Sequence, residues 1–170
     1  MSSDLKGNVV EAKSDGKTVF YYTLLPESVV ADFGLPAPLI VGVIDNPEGI
    51  DEPLEEVVSR SLKVNSEFKR TLHAFCAEVL SKMPQLESQA KAQGNGWVYI
   101  IDKRTPNPEG EVPPQDIVGA FEINNGKIVS YQDNKKYEVN SVNGFTNFGP
   151  SINSEFESYM IELAKKQVIP

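Results

Sequence analysis

Residues 103–115 contain four prolines, Pro106, Pro108, Pro113 and Pro114. Proline has no backbone N–H and a fixed φ, so this stretch is neither helix nor central strand. It is bracketed by strand-forming sequence on both sides. Before it stands Trp97-Val-Tyr-Ile-Ile101, and after it Asp116-Ile-Val-Gly-Ala-Phe-Glu-Ile123 leads to Asn124-Asn125-Gly126 and Lys127-Ile-Val-Ser-Tyr-Gln132. Residues 94–132 therefore read as strand, long loop and hairpin. A loop of this length without structure of its own is uncommon and tends to carry function. Two aspartates, Asp102 and Asp116, mark its ends.

In the strand before the loop, Trp97, Tyr99 and Ile101 fall on one face and Val98 and Ile100 on the other. Both sets are apolar, which predicts cover on both sides. The hairpin has two candidate registers. A two-residue Asn125-Gly126 turn pairs Ile123 with Ile128. A three-residue turn with a glycine bulge pairs Phe121 with Val129 and Gly119 with Tyr131. The second gives one consistent apolar face and lays Tyr131 over the gap at Gly119, so it is the register expected.

The remaining chain alternates β-rich and helix-rich segments. Asp15-Gly16 between two β-forming runs predicts an N-terminal hairpin. Pro26 and Gly34 bracket a short helix over 27–33. The apolar run at 39–44 predicts a strand buried on both faces. Pro53 opens a helix to about Leu62. Asn65 or Ser66 caps a second helix, expected to reach Met83, with Phe68, Leu72, Phe75, Cys76 and Val79 on one stripe. A short helix over 85–92 follows. Tyr137 to Val139 reads as a short strand, and 140–150 as a loop holding Phe145 and Phe148. Ser154 and Glu157 have capping-box spacing for a final helix over about 152–167. Strands, helices, strands and helix in separate runs predict an α+β domain. The expected arrangement is one domain with a mainly antiparallel sheet on the helices at 66–83 and 152–167.

Composition bounds the function. The formal net charge is −8, from 16 basic and 24 acidic side chains. Phosphate backbones are repelled by such a surface, so nucleic-acid binding is not expected. The lysines and arginines are scattered in sequence, with Lys103-Arg104, Lys135-Lys136 and Lys165-Lys166 as the closest groups. No apolar run approaches the roughly 20 residues of a membrane helix, so no membrane partner is expected. The first ten residues lack an apolar core of the secretory type, which points to the cytoplasm. One cysteine, Cys76, allows no intrachain disulfide, in keeping with a reducing compartment.

Catalytic and metal-binding signatures are sparse. His73 and Cys76 are three apart on a helix, the spacing of a nucleophile pair, but Cys76 lies within the apolar stripe and reads as a small hydrophobe. One histidine and one cysteine cannot build a zinc site. A hard cation held by Asp45, Glu48 and Asp51 is outweighed by a solvated helix entrance. Phosphate-loop and serine-elbow sequences are absent. An Asn-Pro-Glu-Gly turn occurs at 46–49 and again at 107–110, each time after an apolar strand, as an independent solution to the same turn. No cofactor is expected.

Asp102 and Asp116 are the candidate acid–base residues, because burial at strand ends raises carboxylate pKa values. Trp97, Tyr99 and Tyr131 are candidate pocket residues. Phe145 and Phe148 are candidate anchors for a partner, or else a satellite cluster beneath their loop. Two functions fit: a non-catalytic binding or regulatory module, or a small-ligand pocket protein using Asp102. The expected partner is a protein or a small ligand.

The residues Asp116-Ile117, Gly119, Phe121-Glu122, Gly126-Lys127-Ile128-Val129 and Tyr131-Gln132, following Gly-Trp-Val-Tyr and Pro-Pro, resemble a C-terminal block of small uncharacterised bacterial proteins. The resemblance spans about residues 94–132 and rests on hairpin grammar. It implies no activity and transfers no functional residue.

Overall fold

The computed structural model describes residues 5–44, 53–106 and 109–168. The acidic segment with Asp45, Glu48 and Asp51 lies outside them, as do the Asn-Pro-Glu-Gly turn at 46–49 and the first two residues of the one at 107–110. The chain is α+β, with antiparallel sheets and five α-helices among the described residues. It falls into two compact units, residues 1–71 with 149–170, and residues 72–148.

The first unit holds a four-stranded antiparallel sheet in sequence order, β1 (Asn8–Ser14), β2 (Lys17–Thr23), β3 (Ile40–Ile44) and β4 (Leu62–Val64). The predicted N-terminal hairpin forms as expected. Asp15 and Gly16 both have positive φ, 52° and 78°, as a tight two-residue turn requires. Helix α1 (Glu27–Phe33) ends where Gly34, at φ 83°, returns its N–H to the Val30 carbonyl. Helix α2 (Leu54–Ser61) begins directly after Pro53 and delivers the chain into β4, a strand not anticipated.

Asn65 then performs two tasks. Its Oδ1 accepts the Glu67 N–H at the start of α3 (Ser66–Glu78), and its Nδ2 donates to the carbonyls of Ala37 and Ile40. Helix α5 (Pro150–Val168) starts a turn earlier than the expected Ser154 cap. Pro150 has the φ of a first helical residue and no N–H to leave unpaired, so the helix can begin there. The Asn153 N–H closes that first turn on the Gly149 carbonyl. Phe68 and Phe156 stack in a tilted pair, 6.1 Å apart, within a core that includes Leu25, Leu39, Val41, Val57 and Met160.

The boundary between units falls inside α3, after Thr71. Helix α3 stops at Glu78, short of the expected Met83. Leu80–Lys82 form a 3₁₀ turn before α4 (Pro84–Gln93), which has Pro84 at its first position. The second unit then lays down β5 (Gly96–Ile101), β6 (Ile117–Asn124) and β7 (Lys127–Asp133) as an antiparallel sheet in that order. A small hairpin, β8 (Asn140–Ser141) with β9 (Gly144–Phe145), follows. It replaces the strand expected at 137–139.

The β6–β7 register is neither of the two predicted. The turn is the two-residue form, with Asn125 and Gly126 at φ 53° and 75° and Ile123 opposite Ile128. One step later the register slips, so that Glu122 faces Ser130 and Phe121 faces Tyr131. Val129 is the extra residue of the bulge and is exposed. The slip keeps Phe121 and Tyr131 on one face, their rings 5.3 Å apart. Tyr131 still covers Gly119, now from a diagonal position. A Cβ on Gly119 would stand 2.5 Å from the Tyr131 hydroxyl and 2.7 Å from the Gln132 carbonyl oxygen.

The two faces of β5 differ. Val98 and Ile100 are buried, but Trp97 is 41% exposed and Tyr99 60%. The expectation of a strand covered on both sides is therefore corrected. An alternating apolar pattern does not distinguish a covered face from an aromatic face turned to solvent. Phe148 is also relocated. It is buried and packs on Phe75 at 6.1 Å, so it belongs to the core of the second unit and is not an exposed anchor.

Candidate functional site: a sealed polar knot and an open aromatic trough

The strand ends that bracket the proline-rich loop meet, as pairing of β5 with β6 requires. The Asp102 N–H donates to the Asp116 carbonyl at 2.9 Å. Both carboxylates are fully buried. Between them lies Arg104, whose side chain is only 3% exposed. Its Nε donates to Asp116 Oδ1 at 3.0 Å and lies 3.6 Å from Asp102 Oδ2. Nη1 donates to the carbonyls of Val139 and Gly144, each at 2.9 Å. Nη2 donates to the carbonyls of Gln115, at 3.0 Å, and Glu138. All five N–H groups of the guanidinium are thereby used.

The remaining acceptor capacity of the carboxylates is taken locally. Asp102 accepts the Arg104 and Asn147 backbone N–H groups and the Tyr137 hydroxyl at 2.8 Å. Asp116 accepts Asn143 Nδ2 at 2.7 Å, the Ser141 hydroxyl at 3.1 Å and the Thr105 hydroxyl at 3.3 Å. Tyr137 is buried beneath the Arg104 guanidinium, which sits 5.3 Å from its ring centroid. Among the described residues no buried side-chain nitrogen or oxygen lacks a partner.

Two carboxylates share one guanidinium, and the geometry decides which of them is favoured. Burial raises the Asp102 pKa, and the more distant Arg104 does not offset it. Burial works against Asp116 too. There, hydrogen bonds from Asn143, Arg104 and Ser141 and the Arg104 charge prevail and hold its pKa below the ordinary carboxylate value. Asp102 thus has a raised pKa, and its carboxylate, like that of Asp116, is fully buried and hydrogen-bonded within the knot. The knot ties the loop after β5 to the 138–147 segment and orders both.

Arg104 is the residue that sequence reasoning missed. It appears there only as half of a short basic pair. Its place two residues after Asp102 is no guide to its role, because the closer carboxylate is that of Asp116.

A second polar cluster lies on the inner face. His73 Nδ1 is 2.7 Å from the Tyr131 hydroxyl. Cys76 is fully buried, and desolvation pushes its thiol pKa up to about 12. The thiolate needed for a nucleophile is thereby suppressed at neutral pH. Tyr131 points into this cluster and away from Trp97 and Tyr99, so the three aromatics expected to line one pocket do not meet.

On the opposite face of the same sheet is an open trough of about 450 Å³. Its cross-section follows from the register. Tyr99 faces Ala120 on β6, and Ala120 faces Gln132 on β7. A small residue between two large ones leaves a depression. Trp97 extends the aromatic wall, and Pro114 and Ile117 lie along it with Asn134. Asn134 is built into the frame through two hydrogen bonds from its Nδ2, to the carbonyls of Pro114 and Ile117, both 2.7 Å. Asp133 contributes the carboxylate among the lining residues. It is ion-paired with Lys135 at 2.9 Å, and that hydrogen bond lowers its pKa. Phe145 lies half-buried on β9, outside the trough.

Among the described residues no group of three or more His, Cys, Asp or Glu side chains is placed to hold a metal ion. No described helix is long and apolar enough to cross a membrane. No family model, curated protein or solved structure matches this chain.

Proposed function

We propose that this protein is a non-catalytic binding module that receives an extended segment of a partner protein in the trough on the outer face of β5–β7. The observation that carries this reading is the pair of exposed aromatics, Trp97 and Tyr99, beside the Ala120 floor. Large aromatics with a polar edge supply most of the energy at protein interfaces, and they are seldom left in water without use. The trough is amphipathic. One wall is aromatic and the other carries Gln132, whose amide can pair with a peptide backbone. An extended chain with one apolar side fits that pattern, as in the aromatic grooves that take proline-rich segments. A cytoplasmic setting suits the lone buried thiol of Cys76. The alternative, a pocket enzyme with Asp102 as acid or base, lacks comparable support, because the Asp102 oxygens are already hydrogen-bonded within the knot.

Trp97 is the sole tryptophan of the chain, so its fluorescence reports on the trough directly. The test is to pan a displayed peptide library against the wild type and against the Trp97→Ala/Tyr99→Ala double variant. Peptides enriched on the wild type alone should shift Trp97 emission on titration. Equal enrichment on both proteins, or binders that leave Trp97 emission untouched, would refute the reading.

A further inference from the structure

The basic residues are scattered in sequence, but the fold gathers three of them. Lys82 from the 3₁₀ turn, Lys91 from α4 and Lys127 from the start of β7 line one concavity of about 520 Å³, together with Ser81 and Glu87. The side chains named give three positive charges and one negative, a local balance of +2 on a chain whose formal net charge is −8. Among the described residues no ion pair engages any of the three lysines. All three side chains are exposed, and a bound anion would take up positive charge that no described ion pair engages.

The walls are held together, which distinguishes this concavity from lysines that are merely adjacent. The Gly126 N–H donates to the Gly94 carbonyl at 2.7 Å, and the Asn125 N–H donates to Asn95 Oδ1 at 3.2 Å. These bonds fasten the β6–β7 turn to the end of α4. Gly126 is needed at the junction. Its φ is 75°, and a Cβ there would stand 3.4 Å from the Lys91 Cα. The backbones that carry Lys91 and Lys127 are thus fixed with respect to each other before any ligand arrives, which reduces the ordering cost of binding.

We infer that this concavity binds a small anion carrying two linked phosphate groups. Three ammonium groups on separate elements match a ligand with several negative oxygens spread over two centres better than a single carboxylate. Lysine is suited to phosphate as a point charge free to adjust its direction. Glu87 opposes the anion and limits its affinity. The site is separate from the aromatic trough and does not depend on it.

The experiment is calorimetric titration of the full chain with inorganic pyrophosphate, at low and at physiological salt, with orthophosphate and a short polyglutamate peptide as comparison ligands. Pyrophosphate should bind more tightly than orthophosphate and weaken as salt rises. Each of Lys82→Gln, Lys91→Gln and Lys127→Gln should weaken it by about two- to fivefold, and the triple variant by about ten- to a hundredfold. Glu87→Gln should tighten it by about two- to fivefold. Trp97 emission should not change. Absence of pyrophosphate binding overturns the inference, as does binding that the triple variant retains. Polyglutamate binding as tightly as pyrophosphate would overturn the ligand class and assign the site to an acidic peptide.

Discussion

The Arg104 knot and the Tyr99 trough are built on the same two strands, β5 and β6, yet they use their side chains in opposite ways. In the knot, both carboxylates are buried and every N–H of the guanidinium has an intramolecular acceptor. In the trough, Trp97 and Tyr99 lie largely outside the core, with Gln132 exposed across from them. The knot resembles an interior that happens to be charged. The trough leaves aromatic surface on the outside of the sheet. The difference teaches that a perturbed carboxylate is a weak guide to function when its perturbation arises from being sealed in. Exposed aromatics on a rigid sheet are the better indicator here.

The comparison can be broken most directly at Arg104. Replacing it with Met leaves two buried carboxylates without their cation and removes a donor from each of four carbonyls, of which Val139 and Gln115 keep a backbone N–H partner. Removing one partner of a buried charge group costs about 3–5 kcal/mol, so Arg104→Met should lower the urea midpoint sharply or prevent folding. An unchanged midpoint would mean that the knot contributes little and that the contrast is false.

Asp116→Asn should come next, with a loss of about 2–3 kcal/mol at neutral pH, because a charge-assisted bond to Arg104 is replaced by a neutral one. The sign of its pH dependence is fixed by the lowered pKa. Asp116 stabilises the fold above its unfolded value, near 3.9, and that stability is lost as pH falls through the lower folded value. Asp102 has a raised pKa, so its contribution has the opposite sign. It favours the fold below its unfolded pKa and loses that effect as pH rises through the folded one. Denaturation followed between neutral pH and the acid limit should therefore show a steeper acid loss in the wild type than in Asp116→Asn. Parallel curves would contradict the assignment.

Gly119→Ala tests the packing of Tyr131 on β6, the strand on which both regions are built. The new methyl group meets the Tyr131 hydroxyl and the Gln132 carbonyl, and overpacking of this kind costs about 1–3 kcal/mol. Thermal unfolding by circular dichroism would measure it, and a neutral result would show that β7 yields easily. Smallest of all should be Trp97→Ala/Tyr99→Ala, within about 0.5 kcal/mol of the wild type, as for surface positions. A large loss of stability there would place these aromatics in the structural frame and remove the basis for a docking surface.

The sequence was most legible where a local rule has no competitor. Asp15-Gly16, Pro26 with Gly34, Pro53 and Asn65 each imposed a turn or cap that the structure retains. The residues 94–132 were recognisable as strand, loop and hairpin for the same reason. Legibility failed where two patterns were locally equivalent. The β6–β7 register combined the turn of one prediction with a slip that neither contained, because the bulge at Val129 is set by how Phe121 and Tyr131 pack. Trp97, Tyr99 and Ile101 offered the same alternation whether covered or exposed. Asp102 and Asp116 were visible as strand-end residues, whereas Arg104 between them was not, since its acceptors come from three separate places along the chain, residues 115–116, 138–139 and 144.

Composition and spacing by themselves determined the α+β class, several turns and helix starts, the lack of enough Cys and His for a zinc set, and the place of the two aspartates at the ends of the proline-rich loop. These follow from backbone sterics, periodicity and residue counts, which act over a few positions or over the whole chain. Only the tertiary structure decided that Asp102 and Asp116 are buried around Arg104, that Phe148 is core, that the aromatic face of β5 is open and that Lys82, Lys91 and Lys127 line one concavity. Each of those depends on which distant segment covers a side chain, and burial and charge proximity are set by packing across tens of residues, which no local pattern encodes.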